Sequence, residues 1–173
     1  LPSEKTYLRS TSFDLFKNRI PWLMLLMVSS TFTGIIITAF EGALAAQVAL
    51  TAFIPMLMGT GGNSGSQSSV TVIRALSLDE LKFADLPKVL WKEIRTSVLC
   101  GIALSIACFA KIWLVDRMLM GNEEITLLVD AVVCLALLVT VIAAKIVGAV
   151  LPMVAKVVKL DPAVMASPFI TTI

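Results

Sequence analysis

Residues 125–150 read ITLLVDAVVCLALLVTVIAAKIVGAV, a run in which only Asp130 and Lys145 carry a charge. A helix that crosses a bilayer needs about 20 apolar residues, and its backbone polar groups must bond within the segment. The run therefore predicts a membrane-spanning helix. Similar apolar stretches predict four further spans, the last of them incomplete because the chain ends inside it: residues 20–40, 43–73, 96–115 and 162–173.

The composition of the whole chain is that of a membrane protein. Of its 173 residues, 58% are apolar and 15% are charged, and the mean hydropathy is +0.94. Soluble domains are about 45–50% apolar and about 25% charged. These values exclude a soluble enzyme, a nucleic-acid-binding protein and a disordered tail. We predict an all-α integral membrane protein with five transmembrane helices per protomer and short interfacial helices. We also expect the chain to be a fragment, because it begins at Leu1.

Lys and Arg are distributed unevenly between the predicted loops. All but Lys111 and Arg117 of the 14 cations precede an odd-numbered span. Cytoplasmic loops carry an excess of Lys and Arg, so we expect a cytoplasmic N-terminus. Residues 1–19 combine cations with aromatic and aliphatic residues, which predicts an amphipathic juxtamembrane segment ahead of the transmembrane domain, residues 20–173. Residues 77–95 are similarly amphipathic and predict short helices at the interface.

The second span contains an unusual polar segment, GTGGNSGSQSS at residues 59–69, and its apolar run is interrupted there and at Pro55. A phosphate-binding loop is excluded because no Lys follows the glycines. Gly61 and Gly65 have the spacing of close helix packing. Asn63 and Gln67 lie four residues apart, on one helix face. Polar groups at membrane depth must face protein or water, so the carboxamides favour a water-lined path.

A second polar pattern begins the fifth span. Asp161 before Pro162 is typical of a helix N-cap, and a carboxylate at a pore mouth also attracts cations. Pro168 frees the carbonyl of residue 164. That carbonyl and nearby hydroxyls suit a hydrated cation, or else stabilise a kinked helix. The hydroxyl groups belong to Ser167, Thr171 and Thr172.

Three charged residues remain near the ends of the spans. Glu41, at the end of the first span, either gathers cations or marks the helix end. Asp130 either is buried at a cost or reaches the outer interface. Lys145 is expected to extend its ammonium group to the cytoplasmic surface, where Pro152 is expected to mark the end of the fourth span.

The remaining chemistry does not indicate catalysis. His is absent, and the three cysteines lie in apolar runs without CxxC spacing, which favours reduced packing residues. No nucleophile–base pair or metalloprotease motif is present, so we predict that the protein is not an enzyme. Oxygen ligands without His or Cys favour hard cations such as Mg²⁺.

The segment PMLMGTGGNSGSQS at 55–68, followed by RAL at 74–76, resembles the MgtE family of magnesium channels. DPA at 161–163, with Ser167-Pro168 and Thr171-Thr172, resembles the fifth helix of that family. The resemblance implies a homodimer with a pore on its two-fold axis, lined by the second and fifth spans. Ser167 stands where some members have Asn, and the principal acidic ligand is expected two positions beyond Ile173.

The implied function is selective transport of magnesium ion through a dimeric pore for a hydrated cation in a multi-pass cell-membrane protein. The alternatives are a cation-coupled secondary transporter and a non-conducting membrane scaffold. Mg²⁺ is the expected transported and bound ion, with Mn²⁺, Co²⁺ or Ca²⁺ as substitutes. The expected partners are a second copy, the lipid bilayer and cytoplasmic regulatory domains absent from this chain, with no nucleic acid.

The predicted site residues fall into two sets. The pore and selectivity residues are Gly61, Gly62, Asn63, Gln67, Ser167, Thr171 and Thr172. The residues predicted to interact with the metal ion are Ser167, Thr171, Asp161 and Glu41.

Overall fold

The computed structural model describes residues 7–159, and all regular structure in that range is helical. Short 3₁₀ segments precede three of the helices, at Tyr7–Arg9, Val48–Phe53 and Phe83–Asp85, and a π-helical segment, Ile112–Leu119, continues the fourth. The chain is an all-α membrane protein, as predicted. Its α-helices are α1 (Ser12–Ala39), α2 (Glu41–Ala46), α3 (Ile54–Ser77), α4 (Leu86–Lys111) and α5 (Leu127–Val157).

Three segments are long and apolar enough to cross a membrane: Ser12–Ala39, Phe83–Leu119 and Leu127–Val157. Helix α3 has 24 residues and is about 36 Å long at a rise of about 1.5 Å per residue, which also suffices for a crossing. Its Gly, Ser, Asn and Gln residues make it less apolar than the other three. These four helices correspond to the first four predicted spans. The fifth predicted span, residues 162–173, lies outside the described residues.

Helices α3 and α5 run in the same direction and approach each other very closely. A Cβ atom built on Gly61 would lie 2.7 Å from Cγ2 of Thr140. Two turns further along α5, a Cβ on Gly148 would overlap the carbonyl group of Gly65. Only residues without a side chain allow two helix backbones to come this near. The small-residue spacing of α3 therefore forms a helix-packing surface, as one of the two sequence interpretations predicted.

Helix α4 packs on another side of α5 and runs in the opposite direction. Gly101 of α4 faces Leu138, with 2.6 Å between a built Cβ and Cδ1 of Leu138. Ser105, one turn later on α4, donates a hydrogen bond of 3.0 Å to the carbonyl oxygen of Cys134, one turn earlier on α5. Consecutive membrane spans must alternate in direction, and α3, α4 and α5 do so. Helix α5 is thus the central element of the described bundle.

The first helix is longer than predicted and stands apart from this bundle. Thr11 and Asp14 form a capping box, in which each side chain accepts a hydrogen bond of 3.2 Å from the other's backbone N–H group. This cap starts α1 at Ser12, so residues 12–19 are helical and continuous with the first predicted span. Pro21 consequently lies inside the helix and not in its first turn. No residue of α1 is buried by the described part of the chain.

The polar segment of the second span does not interrupt its helix. Helix α3 continues without interruption through residues 59–69, and the chain instead leaves the α-helix between Gln47 and Phe53. Pro55 lies in the first turn of α3, where its missing N–H group costs nothing. Each glycine weakens a helix by about 1 kcal/mol relative to alanine. The close packing on α5 holds the segment helical nonetheless.

The ends of the third and fourth spans also differ from prediction. The third span is predicted to end near Val115, with Asp116 and Arg117 at its outer end. The π-helical segment includes both residues and carries the helix on to Leu119. The segment expected to form short helices before the third span, residues 77–95, instead contains one 3₁₀ turn and the first turns of α4. Pro152 is buried inside α5, which continues to Val157. The predicted helix ends were therefore wrong where a proline or a charged residue lies inside a packed helix.

The α3–α5 contact predicts the effect of a single methyl group. Gly148→Ala should destabilise the purified protein by about 1–3 kcal/mol, because the helices must separate to accept the new Cβ. Gly59→Ala is the matched control, since a Cβ there meets no atom within 4 Å. It should leave the melting temperature unchanged or raise it. Thermal unfolding in detergent measures both, and equal melting temperatures for the two variants would contradict the packing described.

Candidate functional site

The outward face of α3 carries a polar stripe, defined here as Asn63, Ser66, Gln67 and Thr71. All four residues are exposed in the described structure. Ser66 and Gln67 follow Asn63 by three and four residues, and Thr71 follows Gln67 by four. These spacings place the four side chains along one face of the helix. Thr71 donates its hydroxyl hydrogen to the carbonyl oxygen of Gln67 at 2.9 Å, so its own polarity is satisfied within the helix. The two carboxamides have no such internal bond.

The opposite face of α3 is built from small residues that pack against the rest of the bundle. Gly61 is buried against Thr140 and Gly62 is half-buried. The buried small residues are Gly61, Ser64, Gly65, Ser68 and Ser69. The two sequence interpretations of this segment therefore apply to different faces. The glycine face packs, and the carboxamide face is left available to water or to another chain.

A hydrogen bond between side chains joins α3 to α4. The hydroxyl group of Ser68 donates to Oε2 of Glu93 at 2.7 Å. Ser68 is buried and Glu93 is half-buried, so water cannot fully replace the hydrogen bond that each side chain makes with the other. Sequence reasoning missed Glu93, because the charged stretch around it predicted short helices at the membrane interface. A carboxylate placed one helical turn before an apolar span was the only available signal.

Glu41 begins α2 and is exposed, so its carboxylate stands free of the bundle. Among residues 7–159 no three His, Cys, Asp or Glu side chains lie together in a way that could hold a metal ion. Asp161, Ser167, Thr171 and Thr172 lie outside the described residues. The described residues therefore do not test whether the predicted metal-interacting residues lie together, and this set stays a prediction.

Two charged residues of α5 lie deeper than expected. Asp130 has no exposed surface, and its Oδ1 accepts a hydrogen bond of 3.4 Å from the thiol of Cys134. Of the two alternatives for Asp130, burial is the one that the structure shows. Lys145 is only 5% exposed, so the prediction that it reaches the surface is wrong. The fourth span continues past Lys145 for a further three turns, which places this residue within the bundle and not at its end.

The cysteines behave as packing residues, as predicted. Cys108 and Cys134 are buried, Cys100 is half-buried, and all three are free thiols. Cys108 and Cys134 belong to the apolar cluster that joins α4 to α5 near the start of α5.

Lys111 and Arg117, which lie near the turn between α4 and α5, interact with residues close to them. Lys111 forms an ion pair of 2.8 Å with Asp116 and lies 5.9 Å above the ring of Phe53. Arg117 lies 4.4 Å above the ring of Trp113 and donates to the backbone carbonyl of residue 125 at 3.2 Å. These contacts fix the turn between α4 and α5.

Comparison with known proteins places this bundle in a transport family. The family described as MgtE, divalent cation transporter, matches residues 54–173, which begin at the first residue of α3. A magnesium transporter MgtE of Bacillus subtilis is 38% identical over 90% of this chain, and one of Thermus thermophilus is 33% identical over 92%. A third, of Enterococcus faecalis, is 28% identical over 90%. The chain spans about a third of the length of each of these curated relatives.

The Ser68–Glu93 bond gives a prediction for stability. Ser68→Ala should destabilise the protein by about 1–3 kcal/mol, because it leaves a half-buried carboxylate without its donor. Ser66→Ala, two residues away on the exposed stripe, should change stability by less than about 0.5 kcal/mol. Thermal unfolding of the two variants side by side measures the difference. The assignment fails if Ser66→Ala is as destabilising as Ser68→Ala.

Proposed function

Because the chain belongs to the MgtE family of divalent cation transporters, we propose that it forms the transmembrane part of a selective magnesium transport pathway. The polar stripe of α3 is the observation that carries this proposal. Asn63 and Gln67 present carboxamides on the face of α3 that does not pack against α5. Exposed carboxamides at membrane depth need water or a second protein surface, and a hydrated cation path supplies the first.

The chemistry of the stripe suits an ion that keeps its water. Mg²⁺ dehydrates reluctantly and is commonly held through its waters with one or two carboxylates. A carboxamide offers both a donor and an acceptor, so it can bond to such a water in either orientation. Neither Asn63 nor Gln67 needs to touch the ion. The carboxylate expected beyond Ile173, with Asp161, Ser167 and Thr171, completes the proposed ligand set, and Mn²⁺, Co²⁺ or Ca²⁺ are the proposed substitutes.

The proposed assembly is a homodimer in which the polar stripe of α3 and residues 162–173 face the two-fold axis. Support comes from the division of α3 into two faces. The packing face is already occupied by α5, so the polar stripe is the part of α3 free to meet a second copy or a shared aqueous path. Glu41, exposed at the start of α2, is proposed to attract cations at one mouth of the path and Asp161 at the other.

The proposed orientation places the ends of α3 and α5 and the start of α4 in the cytoplasm. Because α3 and α5 are parallel and α4 is antiparallel, seven cations gather at that one end of the bundle. They are Arg74, Lys82, Lys88, Lys92, Arg95, Lys156 and Lys159. At the opposite end of the bundle of α3, α4 and α5, the cations among the described residues are Lys111 and Arg117 alone. This arrangement obeys the positive-inside rule and supports a cytoplasmic N-terminus for the multi-pass chain.

Two other functions make different predictions. A secondary transporter that exchanges Mg²⁺ for Na⁺ or H⁺ would show an obligatory counter-ion flux, whereas a channel would show single-channel currents that follow voltage. A non-conducting scaffold would not restore magnesium uptake to a host that lacks it. The exposed carboxamides favour conduction over the scaffold, because packing alone accounts only for the glycine face.

The role of the stripe is tested at its first residue. Asn63→Leu should lower magnesium uptake by the full-length protein about five-fold, the rate equivalent of about 1 kcal/mol for a lost bond to an ion-bound water. Expression and melting temperature should change much less, since Asn63 is exposed. Val70→Leu is the matched control, because Val70 lies two turns along the same exposed face and is already apolar. Normal uptake by Asn63→Leu would make Asn63 a packing residue.

The dimer axis is tested by crosslinking on a background without native cysteines. Ser167→Cys and Thr171→Cys should each form crosslinks between protomers in membranes, since both positions are proposed to line the shared path. Ile35→Cys, on exposed α1, serves as the comparison. Efficient crosslinking at position 35 with none at 167 or 171 would place α1 at the axis and overturn the proposed arrangement.

A further inference from the structure

A cavity of about 350 Å³ lies between the end of α3, the turn before α4 and the end of α5. Its walls are mostly apolar and include Leu76 of α3, Phe83 of the turn, and Met153 and Val157 of α5. Sites for small molecules have volumes of about 300–1,000 Å³ and combine apolar walls with a few polar groups. The cavity therefore has the size and lining of a ligand site, and none of its lining residues belongs to the polar stripe.

Two lysines stand at the rim of this cavity and differ in their partners. Lys156 lies 3.7 Å from the carboxylate of Asp79 and donates a hydrogen bond of 3.1 Å to the carbonyl oxygen of Leu76. Lys82 is exposed, and no carboxylate within residues 7–159 is within ion-pair distance of its ammonium group. Among the described residues, Lys156 at the rim has a carboxylate partner and Lys82 has none.

The rim has a fixed backbone geometry. The N–H group of Asp79 donates to the carbonyl of Leu76 at 3.2 Å, and the N–H group of Glu80 donates to that of Ala75 at 2.9 Å. These two bonds are the Schellman motif that ends α3, with Asp79 at φ 55° in the position usually taken by glycine. An aspartate there holds Lys156 beside the cavity, which glycine could not do. The loop that carries Lys82 therefore leaves α3 in a defined direction.

This end of the bundle has the features of a membrane surface. Trp91 and Phe83 are 64% and 48% exposed, and aromatic side chains of this kind favour the headgroup region. Residues 74–95 and 156–159 carry seven cations against four acidic side chains. The cavity consequently lies where lipid headgroups meet acyl chains, inside a region of net positive charge.

We propose that this cavity binds one anionic phospholipid, with the headgroup phosphate on Lys82 and the upper part of an acyl chain against Leu76 and Met153. A basic pocket between spanning helices is the recognised form of such a site. The charge of the rim selects an anionic over a zwitterionic headgroup. The apolar walls select a lipid over a free phosphate ion. The proposal does not depend on which ion the protein transports.

Native mass spectrometry of the purified full-length protein tests the site. The probes are phosphatidylglycerol and phosphatidylcholine with identical acyl chains. Phosphatidylglycerol should bind about five-fold more tightly, because its phosphate charge, unlike that of phosphatidylcholine, is not offset by a choline cation, and the attraction of one lysine to a net anionic headgroup contributes about 1 kcal/mol. Lys82→Gln should remove most of that preference. Lys88→Gln, an exposed cation at the same end that does not line the cavity, should keep it.

A second pair of variants separates the cavity from the surface charge. Val157→Trp should fill the cavity and abolish the bound lipid, whereas Val158→Trp should not, because Val158 lies outside the cavity lining. Both positions are more than half exposed, at 54% and 59%, so the protein should tolerate either change. Equal losses in Lys82→Gln and Lys88→Gln would reduce the effect to diffuse charge and overturn the proposal. Equal binding of the two lipids, or displacement of the lipid by inorganic phosphate, would also overturn it.

Discussion

The close approach of α3 and α5 at Gly65 and Gly148 is the contact on which the rest of the bundle depends. Lipid tails are as apolar as side chains, so helices in a bilayer associate through packing and hydrogen bonds and gain little from the hydrophobic effect. Two glycines in contact let the backbones meet directly. This contact fixes the rotation of α3 about its own axis. That rotation turns the small residues inward and leaves Asn63 and Gln67 outward.

Hydrogen bonds between α3, α4 and α5 add to the contact between the glycines. Ser68 and Glu93 join α3 to α4, Ser105 joins α4 to the backbone of α5, and Lys156 joins the end of α5 to the end of α3. The bonds lie on different sides of the bundle and at different depths. The bonds of Ser68 and Ser105 satisfy polar groups that would otherwise meet lipid or apolar protein. The three helices are therefore held as one unit that can present the stripe of α3 in a constant position.

The sequence predicted an all-α membrane protein because apolar runs of about 20 residues have few alternatives in a bilayer. It also predicted that Gly61 and Gly65 would allow close packing. It did not show that Thr140 and Gly148 of α5 are the packing partners that offset the helix-propensity penalty of these glycines. It missed Glu93 and the burial of Lys145, since both depend on which residues of other helices lie opposite them. Asp161 and residues 162–173 lie outside the described part, so the predicted site residues among them stay a prediction.

Magnesium transport, as proposed, requires that the outward face of α3 line the path of the ion. Thiol accessibility measures this directly in the full-length protein without native cysteines. Gln67→Cys should react with a charged, membrane-impermeant thiol reagent, and Mg²⁺ should slow that reaction. Leu99→Cys, on the face of α4 where Leu99 is 71% exposed, should not react because it faces lipid. Equal, magnesium-independent reaction at both positions, or none at Gln67→Cys, would contradict the claim.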